Sequence, residues 1–104
     1  MRVISRRALR EFWETHSAAK GPLTTWFRLM KSSHFADFGA IKRTFGAADY
    51  LAPYTIFDMG GNKFRVIAVI HCNRRLVYIR HVFTHSEYDR WSDEMRGRAR
   101  RGRR

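Results

Sequence analysis

The sequence has 104 residues, 44% hydrophobic and 14% aromatic, with one Cys and two Pro, and its 21 Lys and Arg against 9 Asp and Glu give a net charge of +12. That length suits a single domain able to fold without disulfides or metal, and Cys72 alone excludes a disulfide framework or a cysteine-rich zinc site. No apolar run approaches the ~20 residues of a membrane span and the opening MRVISRRALREFWE has no signal-peptide pattern, so the expected setting is the reducing cytoplasm and the expected partners are anionic.

Residues 1–5 read as a brief edge strand, with Ser5 placed to cap the helix after it. Ala8, Leu9, Phe12, Trp13 and His16 recur at helical spacing among charged residues, which predicts an amphipathic helix stopped by Gly21-Pro22. Pro22 can open a second helix, with Leu23, Trp26, Phe27 and Met30 on one stripe and Ser32-Ser33 at its end. The pair forms a helical hairpin. Between 34 and 53 the pattern is weaker; Phe38, Ile41 and Phe45 suggest one or two helical turns.

From Tyr54 the period becomes two. TIFDM, KFRVIAVIH and RLVYIRHVF read as three strands joined by turns at Gly60-Gly61-Asn62 and Cys72-Asn73-Arg74, an antiparallel meander. Phe64, Val66, Ala68 and Ile70 share one face of the second strand. Leu76, Tyr78, Arg80 and Val82 alternate with Val77, Ile79, His81 and Phe83 in the third. The helical hairpin is the expected cover for the apolar face. Thr84 and Glu87 form a capping box that opens a short last helix from His85 to about Met95, with Tyr88 and Trp91 on one side. The expected fold is α+β: an N-terminal helical hairpin on a small antiparallel sheet with a short C-terminal helix. One domain spans 1–95, and 96–104 form an Arg-rich tail. The tail holds six Arg in nine residues, yet removing them still leaves the body at +6.

Metal chemistry has little support. His81 and His85 are four apart, but a strand end and a capping turn separate them. There is no phosphate-binding Gly loop before a helix and no nucleophile elbow. What remains is a polar group that the topology brings together. Lys63 and Arg65 share a strand face, where Arg65 either snorkels past Ile67 and Val69 or meets a partner or a groove. His85 and Tyr88 share one face at the start of the last helix, where the helix field and its free N–H groups favour an anion and a neutral imidazole. Metal-free RNA cleavage needs a proton acceptor for the 2′-OH, a proton donor for the leaving 5′ oxygen and fixed cations at the phosphate. These residue types supply all three, although His and Tyr at a helix start serve equally as cap and packing residues.

Two stretches carry a further signal. FDMGGNKFRVIAVI (Phe57 to Ile70) and VYIRHVFTHSEYDRW (Val77 to Trp91) resemble the HigB family of toxins from bacterial toxin–antitoxin modules, within the RelE-like superfamily. The linker residues Phe35, Asp37, Ile41, Lys42 and Phe45 fit more loosely, and the resemblance covers residues 1 to about 93. It implies a RelE-like helix–sheet toxin that cleaves mRNA on the ribosome without metal or cofactor. It also implies a HigA-like helix-turn-helix antitoxin, with operator DNA reached only through that partner. By matched motif position, Arg65 faces the scissile phosphate, His85 is the candidate acid or base, and Tyr88 stacks or assists proton transfer. Lys63, Lys42 and Arg80 are candidate RNA contacts. Asp58 and Asn62 shape the turn, and Asp89 either orients His85 or steadies the helix start. The Arg tail anchors RNA, docks an acidic antitoxin segment or is idle. The alternatives to a nuclease are a non-catalytic RNA- or ribosome-binding module and a co-repressor acting with its antitoxin.

Overall fold

A computed structural model describes residues 1–61 and 63–101, with side chains described through Arg98. Strand β1 (Arg2–Ile4) leads into helix α1 (Arg6–Thr15) and, after a 3-10 turn over Ser17–Ala19, into α2 (Lys20–Ser32). Helix α3 (Phe38–Thr44), strands β2 (Asp49–Leu51), β3 (Tyr54–Met59), β4 (Phe64–His71) and β5 (Leu76–Thr84), and helix α4 (His85–Arg101) come next. The five strands form one sheet in the order β1-β5-β4-β3-β2. The architecture is α+β, as expected, but the sheet is mixed rather than wholly antiparallel. β1 returns to the far edge and pairs parallel with β5, Val3 opposite Val77, while β3, β4 and β5 form the antiparallel meander.

The helical hairpin covers one face. Leu9 of α1 and Leu23, Trp26 and Met30 of α2 are buried on Phe57, Val66, Ala68 and Val77 of the sheet. Trp26 meets Phe57 edge-on at 5.2 Å between ring centroids, and Phe45 meets the same ring at 5.0 Å. The corner between the helices differs from expectation. α1 stops at His16, whose ring stacks on Phe12 at 4.2 Å, and buried Ala19 turns the chain. Gly21 and Pro22 then fall inside the first turn of α2. A proline is tolerated there because the first-turn N–H groups have no intrahelical acceptor. Ser5 occupies the N-cap position without a side-chain bond, whereas the Asp37 carboxylate caps α3 by accepting from the Ala40 N–H at 2.9 Å. The stretch between α2 and the meander, weakly helical by pattern, also contributes β2, held by Asp49 opposite Ile56 and by Tyr50 packing on Phe38.

Helix α4 is neither short nor confined to 85–95. It runs 17 residues, because Arg, Glu and Ala are good helix formers and two i,i+4 links, Glu94–Arg98 at 2.7 Å and Arg96 Nε to Ser92 Oγ at 3.1 Å, support it. Arg96 also reaches Asp49 on β2 at 3.8 Å. The helix therefore continues into the Arg-rich segment; residues 102–104 of that segment lie outside the described residues.

Strand β5 carries a bulge that its sequence does not announce. Ile67 faces His81 and Ala68 faces Ile79, so Arg80 is an extra residue without an opposite partner. Strict alternation along this strand is therefore wrong. Val77 and Ile79 point into the hairpin core, and beyond the bulge Val82 does so, which sends His81 and Phe83 to the opposite face with Arg65 and Ile67. A one-residue slip exchanges faces for everything after it. That second face is partly covered by α4.

Candidate active site

The second sheet face is built around a buried cation. Gly60 and Gly61, with φ of 61° and 62°, turn the β3–β4 hairpin so that Asp58 lies directly opposite Arg65. Arg65 is only 8% exposed, and its Nη1 donates to Asp58 Oδ1 at 3.0 Å and to the Phe64 carbonyl at 3.2 Å. A guanidinium in the middle of a sheet is tolerable only when paired in this way. Asp58, read from sequence as a turn-shaping residue, is thus the counter-ion. The signal was present: Asp58 and Arg65 are placed symmetrically about the glycine turn, as cross-strand partners must be.

Helix α4 closes the site from above. Trp91 seats it, with its ring 5.2 Å from Tyr54, 5.8 Å from His81 and 6.0 Å from Phe83. The capping box forms as expected: the Thr84 N–H donates to Glu87 Oε1 at 2.9 Å and the Glu87 N–H to Thr84 Oγ1 at 3.3 Å. The bond from the Thr84 N–H holds the Glu87 carboxyl below its ordinary range. The His85 N–H is also taken, by the Lys63 carbonyl at 3.0 Å. Two of the N–H groups expected to form an anion site are therefore satisfied internally. The full charges at this point are carried by side chains.

Those side chains converge. Arg65 Nη2 lies 3.3 Å from His85 Nδ1, and the Arg65 guanidinium carbon sits 5.1 Å from the centre of the Tyr88 ring. His85 Nε2 in turn lies 3.3 Å from Asp89 Oδ2. A guanidinium has only donors, so Nδ1 is the accepting nitrogen and Nε2 carries the proton toward Asp89. The order Asp58, Arg65, His85, Asp89 is one continuous polar chain, with Tyr88 over its cation. His85 and Asp89 are solvent-facing while Arg65 is not, so the group presents its imidazole outward and anchors its charge inward.

The remaining candidates are more dispersed. Lys63 is exposed beside His85 through its backbone link. Arg80 projects from the bulge, is exposed and lies over Tyr78 at 5.5 Å, next to His81. Lys42 is engaged elsewhere: its ammonium donates to the Ala48 carbonyl at 2.7 Å and closes the loop between α3 and β2. Among the described residues, no three His, Cys, Asp or Glu side chains are grouped to hold a metal ion, and no helix is long and apolar enough to cross a membrane.

Residues 19–91, which contain this whole polar chain, match the HigB toxin family, described as the RelE-like toxic component of a toxin-antitoxin system. The chain belongs to this family. The mRNA interferase toxin HigB of Escherichia coli strain K12 is 32% identical over 92 residues, covering 86% of this chain and 88% of that protein. The mRNA interferase HigB of Shigella flexneri gives the same figures. The mRNA interferase HigB of Escherichia coli O6:H1 is 27% identical over 93 residues, or 86% of this chain and 90% of that protein. Arg65, His85, Tyr88 and Asp89 all fall inside the segment that defines the family. The Arg-rich end falls outside it.

Proposed function

We propose that this protein is the toxin of a toxin–antitoxin pair, an endoribonuclease that cuts mRNA and so stops translation in the cytoplasm. The names of its relatives support the activity, and the 3.3 Å approach of Arg65 to His85 supports the site. The reaction is transfer within the RNA: the ribose 2′ oxygen attacks the adjacent phosphorus, the bond to the 5′ oxygen breaks, and a 2′,3′-cyclic phosphate and a 5′-hydroxyl result. In the resting arrangement His85 Nδ1 is occupied by Arg65. A phosphate oxygen arriving at the guanidinium competes for Nη2, releases Nδ1 and leaves the imidazole free to take the 2′-OH proton. Asp89 keeps the ring oriented through Nε2–H, and the Tyr88 hydroxyl gives a proton to the leaving oxygen. Arg65 holds the added negative charge of the transition state, fixed in place beforehand by Asp58. The +12 net charge supplies sequence-independent attraction to RNA. Lys63 and Arg80, both exposed, are the proposed contacts to the rest of the strand. Lys42 contributes to RNA binding only if it leaves the Ala48 carbonyl.

We further infer that cleavage takes place on translating ribosomes, needs no metal, and is silenced by a dedicated antitoxin of the helix-turn-helix type through which operator DNA is reached. The test is mapping of transcript 5′ ends after induction, with purified protein, first treated with EDTA and dialysed, then given mRNA alone or on ribosomes in magnesium buffer. The expected result is 5′-hydroxyl ends within coding regions, dependent on ribosomes and unchanged by the prior treatment of the protein with EDTA. Intact transcripts in arrested cells would instead favour a non-catalytic ribosome-binding module.

A further inference from the structure

On the other side of the molecule, the first turn of α1 and the outer stripe of α2 enclose a groove of about 520 Å³ lined by Arg6, Thr24, Phe27, Arg28, Lys31 and Ser32. Phe27 forms its floor, with the Arg6 guanidinium 5.3 Å and the Lys31 ammonium 5.9 Å from the ring centre. Three cations line it and no carboxylate does. Among the described residues none of the three forms an ion pair, in contrast to Arg7, Arg65, Arg96 and Arg98. Gathering like charges around one ring without a counter-ion is unfavourable until an anion arrives.

We propose that this groove docks an acidic protein segment, its carboxylates against Arg6, Arg28 and Lys31 and an apolar side chain against Phe27. RNA suits it less well. The Phe27 ring is already engaged by two cations, so it is a poor platform for a base. The groove is also remote from the cleavage site. Arg6 opens α1, and it is His16, beyond the other end of that helix, that lies near Glu87 at the start of α4. Ten helical residues span about 15 Å. A segment seated here would hold a partner on the helical layer while leaving Arg65 and His85 uncovered. The proposal stands on charge and shape and does not depend on the nuclease reading.

The test is a titration of the isotope-labelled full chain, followed by NMR, with a synthetic peptide of alternating Asp and Glu around one Leu, and separately with a twelve-nucleotide oligouridine. The expected result is peptide-induced shifts centred on Arg6 and Thr24 to Ser32, with the peptide weakened about tenfold by R28E/K31E. The exposed pair R43E/R74E, which makes the same change in net charge, should weaken it about threefold or less. Arg28 and Lys31 are themselves exposed, so the fold should survive their change, and K31Q repeats the comparison more gently. Equal loss in both double variants, shifts confined to other surfaces, or shifts at these residues from the RNA and not the peptide would each overturn the proposal.

Discussion

The two faces of the sheet are made by the same strands and differ in every other respect. Under the helical hairpin, alternate residues of β3 and β4 (Phe57, Met59, Phe64, Val66 and Ala68) meet two apolar helix stripes and leave almost nothing exposed. Under α4, the intervening residues Asp58, Arg65 and Ile67 meet a single helix through Tyr88 and Trp91, and the cover is aromatic, charged and half open. The first face does what hydrophobic burial does: it fixes the sheet. The second uses that rigidity to hold a cation away from water at a set position, where it can act on a phosphate without reorganising. On the proposed reading, stability and chemistry thus fall to opposite sides of one layer, one residue apart in sequence.

If that division is real, the two faces should fail differently. Phe57→Ala removes a ring in contact with both Trp26 and Phe45 and should cost about 3–5 kcal/mol, enough to lose most of the stability of a small domain, as read by urea denaturation. Arg65→Lys keeps a charge for Asp58 but loses the planar fork that reaches Asp58 and His85 together. Cleavage should fall by about two orders of magnitude with a much smaller change in urea midpoint. Lys is the more informative replacement, because Arg65→Ala strands the Asp58 carboxylate and confounds folding with chemistry. Equal destabilisation by the Phe57 and Arg65 variants would erase the distinction.

Much of this division is legible in the amino-acid sequence alone. The period-three-to-four stripes of the hairpin, the period-two runs of the meander and the Thr84–Glu87 box are local patterns, and local patterns survive folding. So does the meeting of Arg65 with His85 and Tyr88, because a strand face and a helix start joined by one capping turn have few ways to sit. The features that escape are set by pairing. The bulge at Arg80 leaves no Gly or Pro as a marker, and only the register of β5 against β4 shows that His81 and Phe83 turn to the α4 side. β2 is three residues whose strand identity comes from β3. The Arg run reads as solvated tail by composition, yet it extends α4 because Glu94 and Ser92 stand one turn before Arg98 and Arg96.

Within the open face, Asp89 should matter less than Arg65. Its carboxylate meets His85 Nε2 at 3.3 Å in a solvent-exposed setting, where an ion pair is worth little to stability. Asp89→Asn can still accept the Nε2 proton but loses the charge that opposes a developing imidazolium. The expected outcome is a fall in kcat on the order of tenfold with KM and urea midpoint unchanged, and partial recovery in Asp89→Glu. A change in KM alone would make Asp89 an RNA contact rather than an orienting group.

The smallest effect separates the faces by pH. His81 is carried by the bulge onto the α4 side, stacked on Phe83 at 4.9 Å and close to Trp91. Burial there, and the neighbouring Arg80 guanidinium, push its imidazole below its ordinary value near 6.5. In the unfolded chain the same ring takes a proton at its ordinary value, so through this window the unfolded state binds more protons and stability must fall as pH falls. The loss begins just above 6.5 and ends once the folded imidazole is also protonated. The Glu87 carboxyl, held low by the capping box, adds its own loss only below its ordinary value of 4.5. Urea midpoints measured from roughly pH 7.5 to 5 should therefore decline in the wild type, by less than about 1 kcal/mol because the ring is only partly buried. His81→Phe keeps the stacked ring and removes this titration, so its decline over the same range should be shallower. Parallel decline in both proteins would place the pH sensitivity elsewhere than on this face.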